Sequence, residues 1–116
     1  MIKISPFIKN IEDLTLRNEY FRNVIYTSSN LQLVLMTLLP GQEIGKEIHK
    51  NVDQFFRIES GKGQIIINND SYIVGEGAAI VVPKNTIHNI INIGNKPLKL
   101  YTIYSPPQHK NGTIVK

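Results

Sequence analysis

Short runs rich in β-branched and aromatic residues recur along this chain about every ten residues, each closed by a turn signal. Phe21 to Thr27, Leu31 to Leu39, Phe55 to Ser60, Gln64 to Asn68, Tyr72 to Val74, Ala78 to Val82, His88 to Ile93 and Leu98 to Tyr104 read as strands. Between them lie Ser28-Ser29-Asn30, Pro40-Gly41, Gly61-Lys62-Gly63, Asn69-Asp70, Gly75-Glu76-Gly77 and Gly94-Asn95-Lys96-Pro97. That rhythm predicts an all-β sandwich or barrel. With 116 residues the chain can enclose a single buried core, so one domain over residues 1–116 is expected. A short helical turn is expected at Ile11 to Leu16, capped by Asn10 with Glu12 and Asp13 in its first turn; a loop is the alternative.

Two segments add chemistry to this frame. One reads Gly41-x5-Glu47-x-His49-x4-Gln54-x6-Gly61, the other Gly77-x5-Pro83-x-Asn85-x2-His88-x3-Asn92. Strand side chains alternate between faces. Glu47 and His49 therefore face together with Ile48 opposite. Gln54, Phe56 and Ile58 share one face, Phe55, Arg57 and Glu59 the other, and His88, Ile90 and Asn92 align. Asp53 falls opposite Gln54 and reads as a solvated or loop-anchoring carboxylate. Pro83 fixes φ before His88, and Asn85 tolerates the left-handed conformation a tight turn asks for. Gly61 with Gly63, and Gly75 with Gly77, read as turn glycines. No helix follows them to present amides to a phosphate.

The two segments resemble the paired cupin motifs, G-x5-H-x-H-x3,4-E-x6-G and G-x5-P-x-G-x2-H-x3-N, with every spacing kept. Glu47 stands at the first His position, Gln54 at the Glu position and Asn85 at the Gly position of the second motif. The resemblance implies a double-stranded β-helix, a jelly-roll-like barrel, with motif 1 at residues 41–61 and motif 2 at residues 77–92. It also implies a metal near the open end of the barrel, held by Glu47, His49, Gln54 and His88. Two imidazoles, a carboxylate and an amide oxygen suit a divalent transition metal: Fe, Mn, Zn or Ni. The family's three His and one Glu carry one negative charge. Glu47 adds a carboxylate where Gln54 removes one, so the formal charge is unchanged. Gln54 is either a direct ligand or holds a metal-bound water through its amide N–H. Asn92 is expected to brace the following turn. Many cupins pair through an N-terminal strand, so residues 2–7 are candidates for a homodimer contact.

The expected function is a metal-binding cupin that binds or acts on a small polar molecule, with oxygenase, isomerase or lyase chemistry open. A non-catalytic sensing module and a sugar-phosphate isomerase are the alternatives. Glu47 is a candidate general base, and Tyr101 and Tyr104, facing opposite ways, are candidate general acids; barrel packing is their other reading. The isomerase reading wants a cation near the mouth, and only Arg57 and Lys84 lie close in sequence. His109, in the tail from Ser105 to Thr113, is either a lid over the mouth or part of a loose terminus.

Composition removes other classes. With no cysteine, a thiol nucleophile, a disulfide framework and a Cys-based zinc site are excluded. The net charge of +4 is scattered from Lys3 to Lys116 without an aromatic-interleaved basic patch, so no nucleic-acid partner is expected. The opening Met1-Ile2-Lys3-Ile4-Ser5-Pro6 is too short for a signal peptide, and no apolar run nears the roughly 20 residues that span a bilayer. A cytoplasmic location with no membrane partner is expected.

Overall fold

The computed structural model describes residues 5–116. A seven-residue helix, α1 (Ile11–Arg17), comes first, and the Asn10 side chain accepts from the Asp13 amide as the expected cap. The strands are β1 (Arg22–Thr27), β2 (Gln32–Leu38), β3 (Asp53–Ser60), β4 (Lys62–Ile67), β5 (Asp70–Gly75), β6 (Ala79–Val82), β7 (His88–Asn92), β8 (Leu98–Ser105) and β9 (Ile114–Val115). They form a six-stranded sheet, β6-β3-β8-β2-β1-β9, facing a three-stranded one, β5-β4-β7. This is the double-stranded β-helix expected above. Single bridges from Glu43 to Ile91 and from Glu47 to His88 lay the residue 41–49 segment along β7, extending the smaller sheet.

The two sheets close on an apolar interior. Val34, Met36 and Leu38 of β2, Phe56 and Ile58 of β3, Ile90 of β7, and Leu98 and Leu100 of β8 are fully buried. Each such side chain contributes about 1.5–3 kcal/mol on leaving water. The alternation of β3 and β8 aligns across the sheet, pairing Gln54 with Tyr104, Phe56 with Thr102 and Ile58 with Leu100. β2 continues the same rows, with Gln32 opposite Tyr104, Val34 opposite Thr102 and Met36 opposite Leu100.

The strands differ from expectation at a few points, each for a local reason. Gly63 and Gly75 belong to β4 and β5, where Gly63 pairs with Val74 and Gly75 with Lys62. The turns rest instead on Gly61 (φ +98°) and Gly77 (φ +88°). At Gly61 a Cβ would stand 2.8 Å from the Pro97 carbonyl oxygen, so close backbone approach adds to the demand for glycine. A register shift between Ile58 and Ser60 buries Glu59, which pairs with Arg57 at 3.0 Å. The tail is held rather than loose: β9 pairs with β1, setting Arg22 opposite Val115.

Residues 2–4 of the anticipated dimer strand lie outside the described residues. Of the remainder, Ser5 accepts from the Tyr26 hydroxyl at 2.8 Å and Phe7 packs on the Tyr26 ring, so this part lies along β1 of its own chain. Among the described residues no helix is long and apolar enough to cross a membrane.

Candidate metal centre

Three elements bring the motif residues to one end of the barrel. The 41–49 segment carries Glu47 and His49, β3 begins with Asp53-Gln54, and β7 begins with His88. Reciprocal Glu47–His88 backbone hydrogen bonds of 2.9 Å fix the first segment against β7. The turn into β7 is built as its residues require. Asn85 takes the left-handed conformation at φ +63°, its amide donating to the His49 carbonyl. Asp53 caps this turn by accepting from the Lys84 amide at 2.9 Å, so its carboxylate anchors a loop on the face away from Gln54.

The four donor atoms share an unusual condition. Glu47 Oε1, His49 Nε2, Gln54 Oε1 and His88 Nε2 are all buried and have no hydrogen-bond partner among the described residues. Their neighbours orient them. Thr86 carbonyl oxygen lies 2.9 Å from His88 Nδ1; a carbonyl only accepts, so Nδ1 carries the proton and Nε2 keeps a free lone pair. Gln54 donates its Nε2 to Thr102 Oγ1 at 2.9 Å, which leaves the amide oxygen bare. One of the two amide N–H groups is thereby engaged, and the oxygen is the polar atom of this side chain left without a partner. Glu47 Oε2 stands 3.4 Å from His49 Nε2, and the two imidazole centroids are 5.4 Å apart. Burial holds His49 below the usual imidazole range, with Glu47 opposing and His88 and Arg22 assisting. A neutral imidazole is the form that can donate a lone pair.

Among the described residues no three His, Asp or Glu side chains already stand in position to hold a metal ion. The amide oxygen of Gln54 stands outside that count. Glu47, with its side chain 24% exposed, is the least confined of the four.

The two tyrosines part company. Tyr104 is buried, its ring edge-on to His49 at 5.6 Å, and burial pushes its phenol well above the usual range, with Glu47 adding and Arg22 opposing. It stays protonated and able to donate. Tyr101 lies on the opposite face of β8, opposite Arg57 and against the Phe55 ring at 6.2 Å. The structure does not bring it to the group, so packing accounts for it.

Three residues of this end carried no functional reading in the sequence. Thr102 aims the Gln54 amide. Gln32, fully buried, accepts from the Gln108 and His109 amides and donates to the His109 carbonyl, folding the tail over the barrel end. His109 accordingly sits against Tyr104, Nε2 to hydroxyl 3.2 Å, and not in a loose terminus. Arg22 is the third. Asn23 and Ile25 line a cleft of about 340 Å³ on the outer face beside α1, which leaves Arg22 and Val24 to the inner face. In sequence both parities of β1 mix polar and apolar residues, so nothing marked which one faces inward.

Comparison with known proteins matches residues 34–104 to the Cupin domain family. YrkC of Bacillus subtilis (strain 168) is 48% identical over 115 residues, covering 94% of this chain and 62% of YrkC. The chain thus spans about three fifths of that relative's length. BH2720 from Bacillus halodurans superposes with a TM-score of 0.94 at 44% identity, over 96% of this chain and 89% of that one. Mannose-1-phosphate guanylyltransferase RfbM of Salmonella typhimurium is 31% identical over 114 residues, 89% of this chain but 23% of RfbM.

Proposed function

The chain belongs to the Cupin domain family, and from that premise we propose that it is a metal-dependent cupin that binds a small polar molecule and acts on it. Glu47, His49, Gln54 and His88 would hold the divalent transition metal, Fe, Mn, Zn or Ni. One observation carries the reading: the buried donor atoms of all four lack partners. A buried polar atom left unpaired costs about 1–3 kcal/mol, so leaving four together at one barrel end is unexpected unless something else completes them. The paired Glu47 and Gln54 departures support the same reading, since they keep the charge a cation would meet.

A bound cation would supply Lewis-acid polarisation of a ligand carbonyl or hydroxyl. The chain's own residues supply the rest. Glu47 keeps a second carboxylate oxygen, Oε2, to take a proton. Tyr104, held protonated, donates a hydrogen bond towards a ligand beside His49. The rings of Phe56 and Tyr104 flank His88 and His49 and limit water around the donors. The likeness to part of a mannose-1-phosphate guanylyltransferase puts phosphorylated sugars among the ligands to try. We read the protein as a cytoplasmic homodimer without nucleic-acid or membrane partners; sedimentation as a monomer removes the dimer.

The test is metal analysis of the purified protein, followed by thermal melts with Fe, Mn, Ni and Zn added to chelator-treated protein. One equivalent of metal is expected, with a rise in Tm that His49→Ala and His88→Ala each abolish. Absence of both stoichiometric metal and any Tm rise overturns the proposal. Ligand capture without turnover would keep the metal and remove the catalysis.

A further inference from the structure

We propose that Arg22, on the inner face of β1, is the anion-binding half of the ligand site: it takes an oxyanion, carboxylate or phosphate, on the small molecule. The inference names the ligand class for the site proposed above and rests on that reading for where the ligand's other end goes. The anion contact itself needs no cation.

Four observations carry it. Arg22 projects from the inner face of β1, because its neighbours Asn23 and Ile25 line the outer cleft. Its Nε is buried and has no hydrogen-bond partner, and it forms no ion pair among the described residues. An unpaired, partly buried guanidinium is costly to fold around, and its planar fork of donors matches carboxylate and phosphate oxygens. The guanidinium carbon lies 5.4 Å from the Phe21 ring centroid, and that contact uses the π-face of the ring while leaving in-plane N–H donors to an oxyanion. Finally, Gln32 ties the backbone of His109 in place and Tyr104 meets its ring. The tail so fixed stands beside the donor group rather than over the apolar end. The positive charge of Arg22 acts on three residues, adding to the lowering at His49 and His109 and opposing the rise at Tyr104, so it lies within electrostatic reach of these three. The sugar-phosphate reading wants a cation near the mouth, and Arg57 is paired to Glu59 on the other face.

The experiment uses chelator-treated, metal-free protein, because phosphate and malonate both bind metals. Nitrogen–proton correlation spectra follow the Arg22 Nε–H while inorganic phosphate or malonate is added, with sodium chloride at matched ionic strength as reference. A saturable shift at that resonance is expected. Arg22→Gln should weaken binding at least tenfold, while Arg17→Gln, on exposed α1, leaves it unchanged. Response to phosphate alone assigns a phosphorylated ligand, to malonate alone a carboxylate, and to both a general oxyanion site. Manganese affinity of Arg22→Gln should stay within about twofold of wild type, which separates this contact from the metal donors; a larger loss would return Arg22 to that group and overturn the assignment. If Arg22→Gln does not fold, the wild-type resonance still decides. A shift no larger than chloride produces, or unchanged binding by Arg22→Gln, overturns the inference.

Discussion

Asn92 and Gln54 are both buried amides on inward-facing strand positions, at opposite ends of the same barrel, and they are treated in opposite ways. Asn92 closes β7 at the apolar end, where it donates to the Leu38 and Lys96 carbonyls and accepts from the Gly94 amide. Every group it brings in is used, and it braces the turn as its place in the second motif suggested. Gln54 opens β3 at the other end and leaves its oxygen bare. The contrast extends to whole rows. Met36, Leu100 and Ile58 form one cross-strand row, all apolar; Gln32, Tyr104 and Gln54 form another, all polar. A buried polar group that is fully paired belongs to the fold. A cluster that is not paired stores a cost that a ligand can relieve.

The comparison breaks most visibly through the apolar row. Leu100→Ala should cost about 2–5 kcal/mol in urea unfolding, by lost burial and the cavity left behind. A smaller loss would mean that this end is not the stabilising half. The two amides sharpen it next. Asn92→Leu strands three backbone partners and should cost at least about 2 kcal/mol. Gln54→Leu removes an unpaired oxygen and strands one partner, the Thr102 hydroxyl, instead of three, so metal-free protein should lose only about 1 kcal/mol, while its metal affinity falls at least tenfold. Equal losses of stability at the two sites would dissolve the distinction. The smallest effect belongs to His109. Burial, helped by Arg22 and His49, lowers it from 6.5 to about 4. Its folded-state value lies below the unfolded one, so the unfolded chain binds the extra proton between these limits. Stability therefore falls as pH drops from 6.5 towards about 4. His109→Gln should flatten the acid limb of a Tm-against-pH curve, with His49, lowered for the same reason, keeping part of the slope.

Much of the fold was legible in residue order. The β-branched runs and the turn residues placed most strands within a few positions, because period-two burial and left-handed turns are local properties. The Asp53 anchor, the Asn85 turn and the Asn10 cap follow from the same short-range rules. β9 escaped because a two-residue strand has no period to read. Tyr101 and Tyr104 were distinguishable by parity, but which parity faces inward depends on the partner strands.

What the chain determined by itself was the set of strands and the spacing that makes Glu47, His49, Gln54 and His88 neighbours, since alternation and turn geometry act over a few residues. Only tertiary structure decided which atoms of those side chains are left free. That depends on Thr102 and Thr86 occupying the other half of each polar group, contacts 48 residues away for Gln54 and two for His88. It decided, too, that His109, near the C-terminus, belongs to that end and that Arg22 faces the interior. The grip of Gln32 on the tail carries His109 there, and the outward placing of Asn23 and Ile25 turns Arg22 inward.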